Sequence, residues 1–77
     1  MEAKEMFEKL GYEFCDLDNY TDFHRYEYAK QTKLENGVRI QNIWFDLINK
    51  ELYIHNSINL EELQAINQQV KELGWYE

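Results

Sequence analysis

The 77-residue chain has no proline, three glycines and a single cysteine, and each shortage excludes a class of structure. One cysteine cannot form an intramolecular disulfide, so the sequence predicts a reducing, cytoplasmic setting. Because every glycine has a helix-stop or hairpin use, no glycine-rich phosphate loop is expected. The longest apolar run is three residues, and the first residues contain no apolar stretch. Neither an export signal nor a membrane span is therefore predicted.

Basic residues are also scarce, since 15 acidic side chains face 8 basic ones and the net charge is −7. This charge opposes contact with phosphate backbones, so direct nucleic-acid binding is not expected. The charge is distributed unevenly along the chain, because residues 25–39 carry a net charge of +2 and the remaining residues carry −9. Two interpretations stay open: the basic hairpin of one copy attracts the acidic body of another, or the surface is an ordinary solvated mixture.

Two amphipathic segments predict helices at the two ends of the chain. Ala3, Met6, Phe7 and Leu10 follow helical spacing over about residues 2–10, before a stop at Gly11. A second helix is expected to begin at the cap Asn59.

The second helix carries a complete capping signal. Glu62 stands where a capping box requires it, and Ile58 can pack against Leu63. The apolar stripe predicted for this helix is Leu63, Ile66, Val70 and Leu73, with Gln69 near the solvated side. The helix is expected to stop at Gly74.

Alternating residues between the helices predict strands joined by tight turns. A two-residue turn at Asn36 and Gly37 pairs Tyr28 with Phe45, and a second at Asn49 and Lys50 pairs Leu47 with Leu52. One face then carries the core residues Tyr26, Tyr28, Ile43, Phe45, Leu47, Leu52 and Ile54. A three-residue first loop, compensated by a bulge at Gln41 and Asn42, is the alternative.

The stretch "YEFCDL" (residues 12–17) predicts a further strand. The resulting order αββββα, with tight hairpins, favours an α+β fold in one domain over residues 1–77. We expect a two-layer sandwich in which both helices cover one face of an antiparallel, three- to four-stranded meander sheet.

The opposite face of that sheet is the candidate site. Trp44, Asp46, Tyr53 and His55 are expected on the uncovered side, with Trp44 opposite His55. Exposed amphipathic aromatic groups often mark partner contacts. The alternative is that Trp44 and Tyr53 only stabilise the sheet as cross-strand neighbours, roofed by residues 18–23 or by the chain end at 75–77.

A second candidate is the acidic loop that contains Asp16, Asp18 and Asp22. It resembles a calcium loop in spacing but lacks the glycine and the following helix that such a loop requires. An ordinary connecting loop with Asx turns, or an imitation of nucleic acid, remains open.

No residue set predicts catalysis or a cofactor. Cys15, His24 and His55 lack zinc-motif spacing, and no nucleophile has a nearby base, so neither a metal site nor an enzyme is expected.

The ends of the chain carry a resemblance. "AKEMFEKLGYE", later followed by "LEELQAINQQVKELGW", resembles segments of small proteins carried by phages, prophages and integrative elements of low-GC Gram-positive bacteria. The resemblance implies an accessory protein of a mobile element, without a catalytic motif. Together with the open face it predicts binding to a protein partner or to a second copy; an acidic inhibitor that imitates nucleic acid is the alternative.

Overall fold

A computed structural model describes residues 1–20 and 22–76. Within these residues the chain forms three helices and four strands: α1 Ala3–Lys9, β1 Glu13–Asp16, α2 Leu17–Tyr20, β2 Arg25–Leu34, β3 Gly37–Asp46, β4 Glu51–Ile54 and α3 Leu60–Glu72. The strands make one antiparallel sheet in the order β1-β2-β3-β4. This confirms the predicted α+β meander and its fourth strand, β1. The single-turn helix α2 lies where only a loop was predicted.

Both predicted helix stops are confirmed. The amide of Gly11 donates to the Glu8 carbonyl and that of Tyr12 to the Phe7 carbonyl, each at 3.0 Å. Gly74 and Trp75 repeat this pattern at the end of α3. Each pair of bonds forms a Schellman motif, and both glycines hold the positive φ angle that it requires.

Helix α3 begins as predicted, but the face that it buries is rotated. Asn59 and Glu62 form a capping box in which each side chain accepts the other's backbone amide. The buried residues include Ala65, Ile66 and Gln69, whereas Leu63 is 43% exposed. Placing Gln69 on the solvated side was therefore wrong, because its Oε1 accepts a hydrogen bond from the Tyr28 hydroxyl inside the core.

The first hairpin keeps the predicted faces in a different register. Leu34 pairs with Gly37, so the turn consists of residues 35–36 and Gly37 already belongs to β3. Tyr28 consequently pairs with Ile43, and its predicted pairing with Phe45 was wrong. The pairing of β2 with β3 is continuous, so the alternative bulge does not form. A shift of two residues preserves the alternation of faces.

The second hairpin shifts by two residues as well. Asp46 pairs with Glu51, which leaves a four-residue loop over residues 47–50. The predicted pairing of Leu47 with Leu52 was therefore wrong. The reason is the Asp46 carboxylate, which accepts the amides of Ile48 and Asn49 at 3.0 Å and closes the loop early.

The core lies between the helices and one face of the sheet, as expected for a two-layer sandwich. Its buried cluster contains Phe7, Tyr12, Tyr28, Ile43, Phe45, Ala65 and Ile66. The ring of Phe7 stacks on that of Tyr28 with 3.9 Å between centroids. Leu52 and Ile54 point to the same face but are 40% and 37% exposed, because β4 lies at the sheet edge.

Two buried polar contacts join the sheet layer to α3. The Tyr12 hydroxyl donates to the Glu62 carboxylate, and the Tyr28 hydroxyl donates to Gln69 Oε1 at 2.5 Å. Burial is the main cause that raises the pKa of both tyrosines, and the neighbouring Glu62 raises that of Tyr12 further. Both phenols therefore ionise at a higher pH than an exposed tyrosine.

The hairpin of β2 and β3 extends beyond the other strands. β1 pairs with β2 over residues 26–29, and β4 pairs with β3 over residues 43–46. Residues 31–40, here called the arm, are all exposed. Its exposed apolar side chains are Leu34, Val38 and Ile40. The arm thus carries apolar surface that the core does not use.

Candidate functional site

The face of the sheet opposite the helices, here called the open face, carries all four candidate partner-binding residues. Strand pairing places Trp44 beside Tyr53 and Asp46 beside Glu51. His55 follows β4, and its amide donates to the Asn42 carbonyl at 2.9 Å. The separation of these residues from Ile43 and Phe45 follows from the alternation of a strand.

Trp44 and Tyr53 form the centre of the open face. Their rings stack with 3.9 Å between centroids and 11° between planes. The predicted pairing of Trp44 with His55 was wrong, because the second hairpin moved by two residues and brought Tyr53 opposite Trp44. Tyr53 is 41% exposed, so the stack presents a ring to solvent.

Arg25 completes this aromatic surface. Its guanidinium lies 4.5 Å from the Trp44 ring centroid and 5.0 Å from that of Phe23. One of its terminal nitrogens lies 3.5 Å from the Glu27 carboxylate. Among the described residues its buried Nε has no hydrogen-bond acceptor. Arg25 was not among the predicted site residues. It lies opposite Asp46 only in the observed register of β2 and β3, which differs from the predicted one.

Asp46 is held by the loop that follows it. Hydrogen bonds from Asn49 are the main cause that lowers the pKa of this carboxyl below its ordinary value, and Arg25 contributes as well. A carboxylate with these donors remains ionised and is a poor general base at neutral pH. It contributes fixed negative charge at the edge of the open face.

His55 extends the aromatic surface along β4. Its Nδ1 lies 3.5 Å from the Tyr53 hydroxyl, and the two rings are nearly parallel at 6.5 Å between centroids. The side chain is exposed. Trp44, Tyr53 and His55 therefore form one row of rings on the face where the sequence predicted them, in an order that the predicted pairing did not give.

The two segments predicted to roof this surface lie in different places. Trp75 packs against Phe45 in the core, 6.1 Å between ring centroids, and so lies on the helical side. Phe23 does approach the open face, through Arg25, and is itself 60% exposed. Thr21 and Glu77 lie outside the described residues.

A shallow cleft of about 300 Å³ lies beside Arg25 and Trp44. Phe23 and His24 line one side, and Ile48 and Asn49 line the other. Among the described residues, its lining contains no cysteine, serine or threonine. The size is at the lower limit of small-molecule sites, and the cleft merges with the open face.

The acidic candidates are used in local structure. Asp16 accepts the amides of Asp18 and Asn19 at 3.1 and 3.2 Å and thereby caps α2. Asp18 lies 2.9 Å from His24 Nδ1, and Asp22 is exposed. Two of the three carboxylates are therefore held in local structure, while hydrogen bonds from neutral donors leave their negative charge in place.

Residues 1–20 and 22–76 contain neither a cluster of metal ligands nor a membrane-spanning helix. No group of three or more histidine, cysteine or acidic side chains is placed to hold a metal ion. Over the same residues, no helix combines the length and apolarity needed to cross a bilayer.

Comparisons of the chain with protein-family models, with curated proteins and with solved structures found no match. Any functional conclusion therefore depends on the geometry of the open face.

Proposed function

We propose that this protein is a non-enzymatic interaction module that binds a protein through the open face. The observation that supports this proposal is the Trp44–Tyr53 stack, which has a cationic group on its tryptophan and exposed ring surface on its tyrosine. Tryptophan, tyrosine and arginine are the residues that most often dominate binding energy in protein interfaces. The resemblance of the chain ends to accessory proteins of mobile elements suits such a role.

The surface is suited to a partner that lies flat across the strands. Trp44, Tyr53 and His55 form a row, and Asp46 and Arg25 supply charges at its end. Aromatic groups contribute the apolar contact, while the charges fix the orientation of the partner. A partner that presents an apolar side chain next to a neighbouring pair of basic and acidic groups matches this arrangement.

The test is quantitative capture from a lysate of cells that express the protein. Tyr53→Ala should reduce the amount of captured partner by about tenfold, since a central interface tyrosine commonly contributes more than about 1.4 kcal/mol. Tyr76→Ala is the matched control, because Tyr76 is 70% exposed and contacts α3 instead of the open face. Equal capture by wild type and Tyr53→Ala would sink the proposal.

The alternative, imitation of nucleic acid by an acidic surface, predicts the opposite pattern. Capture would then fall steeply between low and high salt, because exposed charges are screened. Changing Asp16, Asp18 and Asp22 to asparagine would abolish it, while Tyr53→Ala would leave it intact.

A further inference from the structure

The charged side chains on the open face of β2 follow an order that is complementary to the same strand of a second copy when that strand runs in the opposite direction. Residues that point to this face alternate along the strand. They read basic, acidic, neutral, neutral and basic: Arg25, Glu27, Ala29, Gln31 and Lys33. The acidic Glu35 follows in the turn, where it lines a shallow groove together with Gln31, Lys33 and Val38. Laid antiparallel on a copy of itself, this row places Lys33 opposite Glu27 and Glu35 opposite Arg25. Every charge then meets one of opposite sign.

The neighbouring strand β3 has a matching order of apolar groups. When β3 is laid antiparallel on the β3 of a second copy, with Gln41 at the centre, Val38 lies opposite Trp44 and Ile40 lies opposite Asn42. The point of reversal is common to both strands, because Lys30 and Gln41, the centres of the two rows, are paired with each other in the sheet. One two-fold axis therefore serves both rows.

We propose that the partner bound by the open face is a second copy of this chain. The two sheets pack face to face, with β2 and β3 of each copy antiparallel to their counterparts and the two-fold axis at the Lys30–Gln41 pair. This inference rests on the proposed function and names its partner. The arm of each copy covers the Trp44 end of the other.

Side-chain length permits these contacts. Stacked sheets lie about 10 Å apart, a gap that a lysine and a glutamate bridge when both extend from facing strands. One terminal nitrogen of Arg25 lies 3.5 Å from the Glu27 carboxylate, and a guanidinium carries further donors that can pair with another carboxylate. Glu35 of the other copy supplies one.

Charge also selects between the two face-to-face arrangements. If the two-fold axis ran along β2 instead, the two β2 strands would be parallel, Arg25 would meet Arg25 and Glu27 would meet Glu27. Like charges in contact disfavour an arrangement strongly, whereas the antiparallel form matches every pair. The antiparallel contact is also self-complementary, as a symmetric dimer requires.

The arm supplies the apolar part of the contact. Val38 is 55% exposed and Ile40 46% exposed in the single chain. In the dimer Val38 lies against the Trp44 ring, and both groups lose water. The contact is two strands wide, which is small for a stable interface, so dimerisation should depend on concentration in the range used for light scattering.

Charge reversal tests the arrangement by sedimentation and light scattering. Lys33→Glu and Glu27→Lys should each weaken dimerisation about tenfold or more, because each places two pairs of like charges in contact. The double variant Lys33→Glu/Glu27→Lys restores opposite charges and should recover wild-type association. Lys9→Glu is the control: it makes the same charge change on α1, away from the open face, and should leave the dimer intact.

Zero-length carbodiimide cross-linking gives an independent readout. Lys33 and Glu27 are six residues apart along β2, about 20 Å in an extended strand, which is beyond a direct amide link within one chain. A Lys33–Glu27 cross-link that joins isotope-labelled to unlabelled chains is therefore expected from this dimer.

Three results would overturn the inference: a monomer at every concentration, a dimer unaffected by either single charge reversal, or a double variant that stays dissociated. Its failure is distinguishable from failure of the proposed function. A monomeric protein that still loses a captured partner on Tyr53→Ala would exclude this dimer and leave the open face as a binding surface.

Discussion

Glu62 combines two structural tasks in one buried carboxylate. One of its oxygens accepts the Asn59 amide in the capping box, and the other accepts the Tyr12 hydroxyl. The Lys30 ammonium lies 3.9 Å away and donates to the Leu10 carbonyl. This one residue therefore connects the start of α3, the end of α1 and the middle of β2.

Removing the Tyr12 hydroxyl tests the importance of that connection. Tyr12→Phe keeps the ring but leaves a buried carboxylate oxygen short of a donor, so the free energy of unfolding should fall by about 1–3 kcal/mol. Denaturant unfolding measures the loss. The control is Tyr76→Phe. The Tyr76 hydroxyl donates to the exposed Asn67, so its removal should change the free energy of unfolding by less than about 0.5 kcal/mol. Equal effects of both substitutions would show that the buried bond contributes nothing.

At the scale of elements, the two helices were predictable because their signals are local. Capping residues and the two Leu-Gly stops act within a few positions, so α1 and α3 follow from the sequence. The faces of the strands followed from alternation. The registers did not, since a shift of two residues leaves every side chain on its predicted face.

The same limit separates the predicted from the missed site residues. Trp44, Tyr53, His55 and Asp46 needed only their face to be identified. Arg25 needed its cross-strand neighbour, and the burial of Gln69 depended on Tyr28, which is remote in sequence. The available signal for burial of Gln69 was its spacing of one helical turn from Ala65. The side chain of Ala65 is too small to mark an apolar stripe by itself.

The cap of α3 carries a prediction at the same scale. Asn59→Ala removes the side chain that accepts the Glu62 amide at 2.8 Å, so we expect a loss of about 0.5–2 kcal/mol in the free energy of unfolding. Asn67→Ala, an exposed change inside the same helix, is the control and should be neutral or slightly stabilising. Circular dichroism in denaturant measures both; a neutral Asn59→Ala would contradict the capping box.

For the whole molecule, the buried phenols predict a limit on stability in alkali. The folded pKa values of Tyr12 and Tyr28 are raised above the unfolded value of 10.0. The unfolded chain therefore loses these protons first. The stability contributed by the neutral phenols is fully present below pH 10 and is lost as pH rises through the raised folded pKa.

Denaturant midpoints measured from about pH 8 to about pH 11 test this limit. Above pH 10, each buried tyrosine should lower the free energy of unfolding by up to about 1.4 kcal/mol per pH unit. Tyr28→Phe should make this slope shallower, whereas Tyr76→Phe should leave it unchanged. An identical slope in both variants would exclude the buried phenols as its cause.

The arm leads to one more consequence. Among the described residues no third strand pairs with β2 or β3 beyond the Lys30–Gln41 pair, and the hydrogen bonds to residues 56 and 57 reach only Arg39 and Ile40 at the base of the arm. A two-stranded ribbon by itself is marginally stable in water. Its amide protons should then exchange with deuterium through local opening, at a rate independent of the stability of the core. Slower exchange at higher protein concentration would locate, residue by residue, the backbone that another molecule protects.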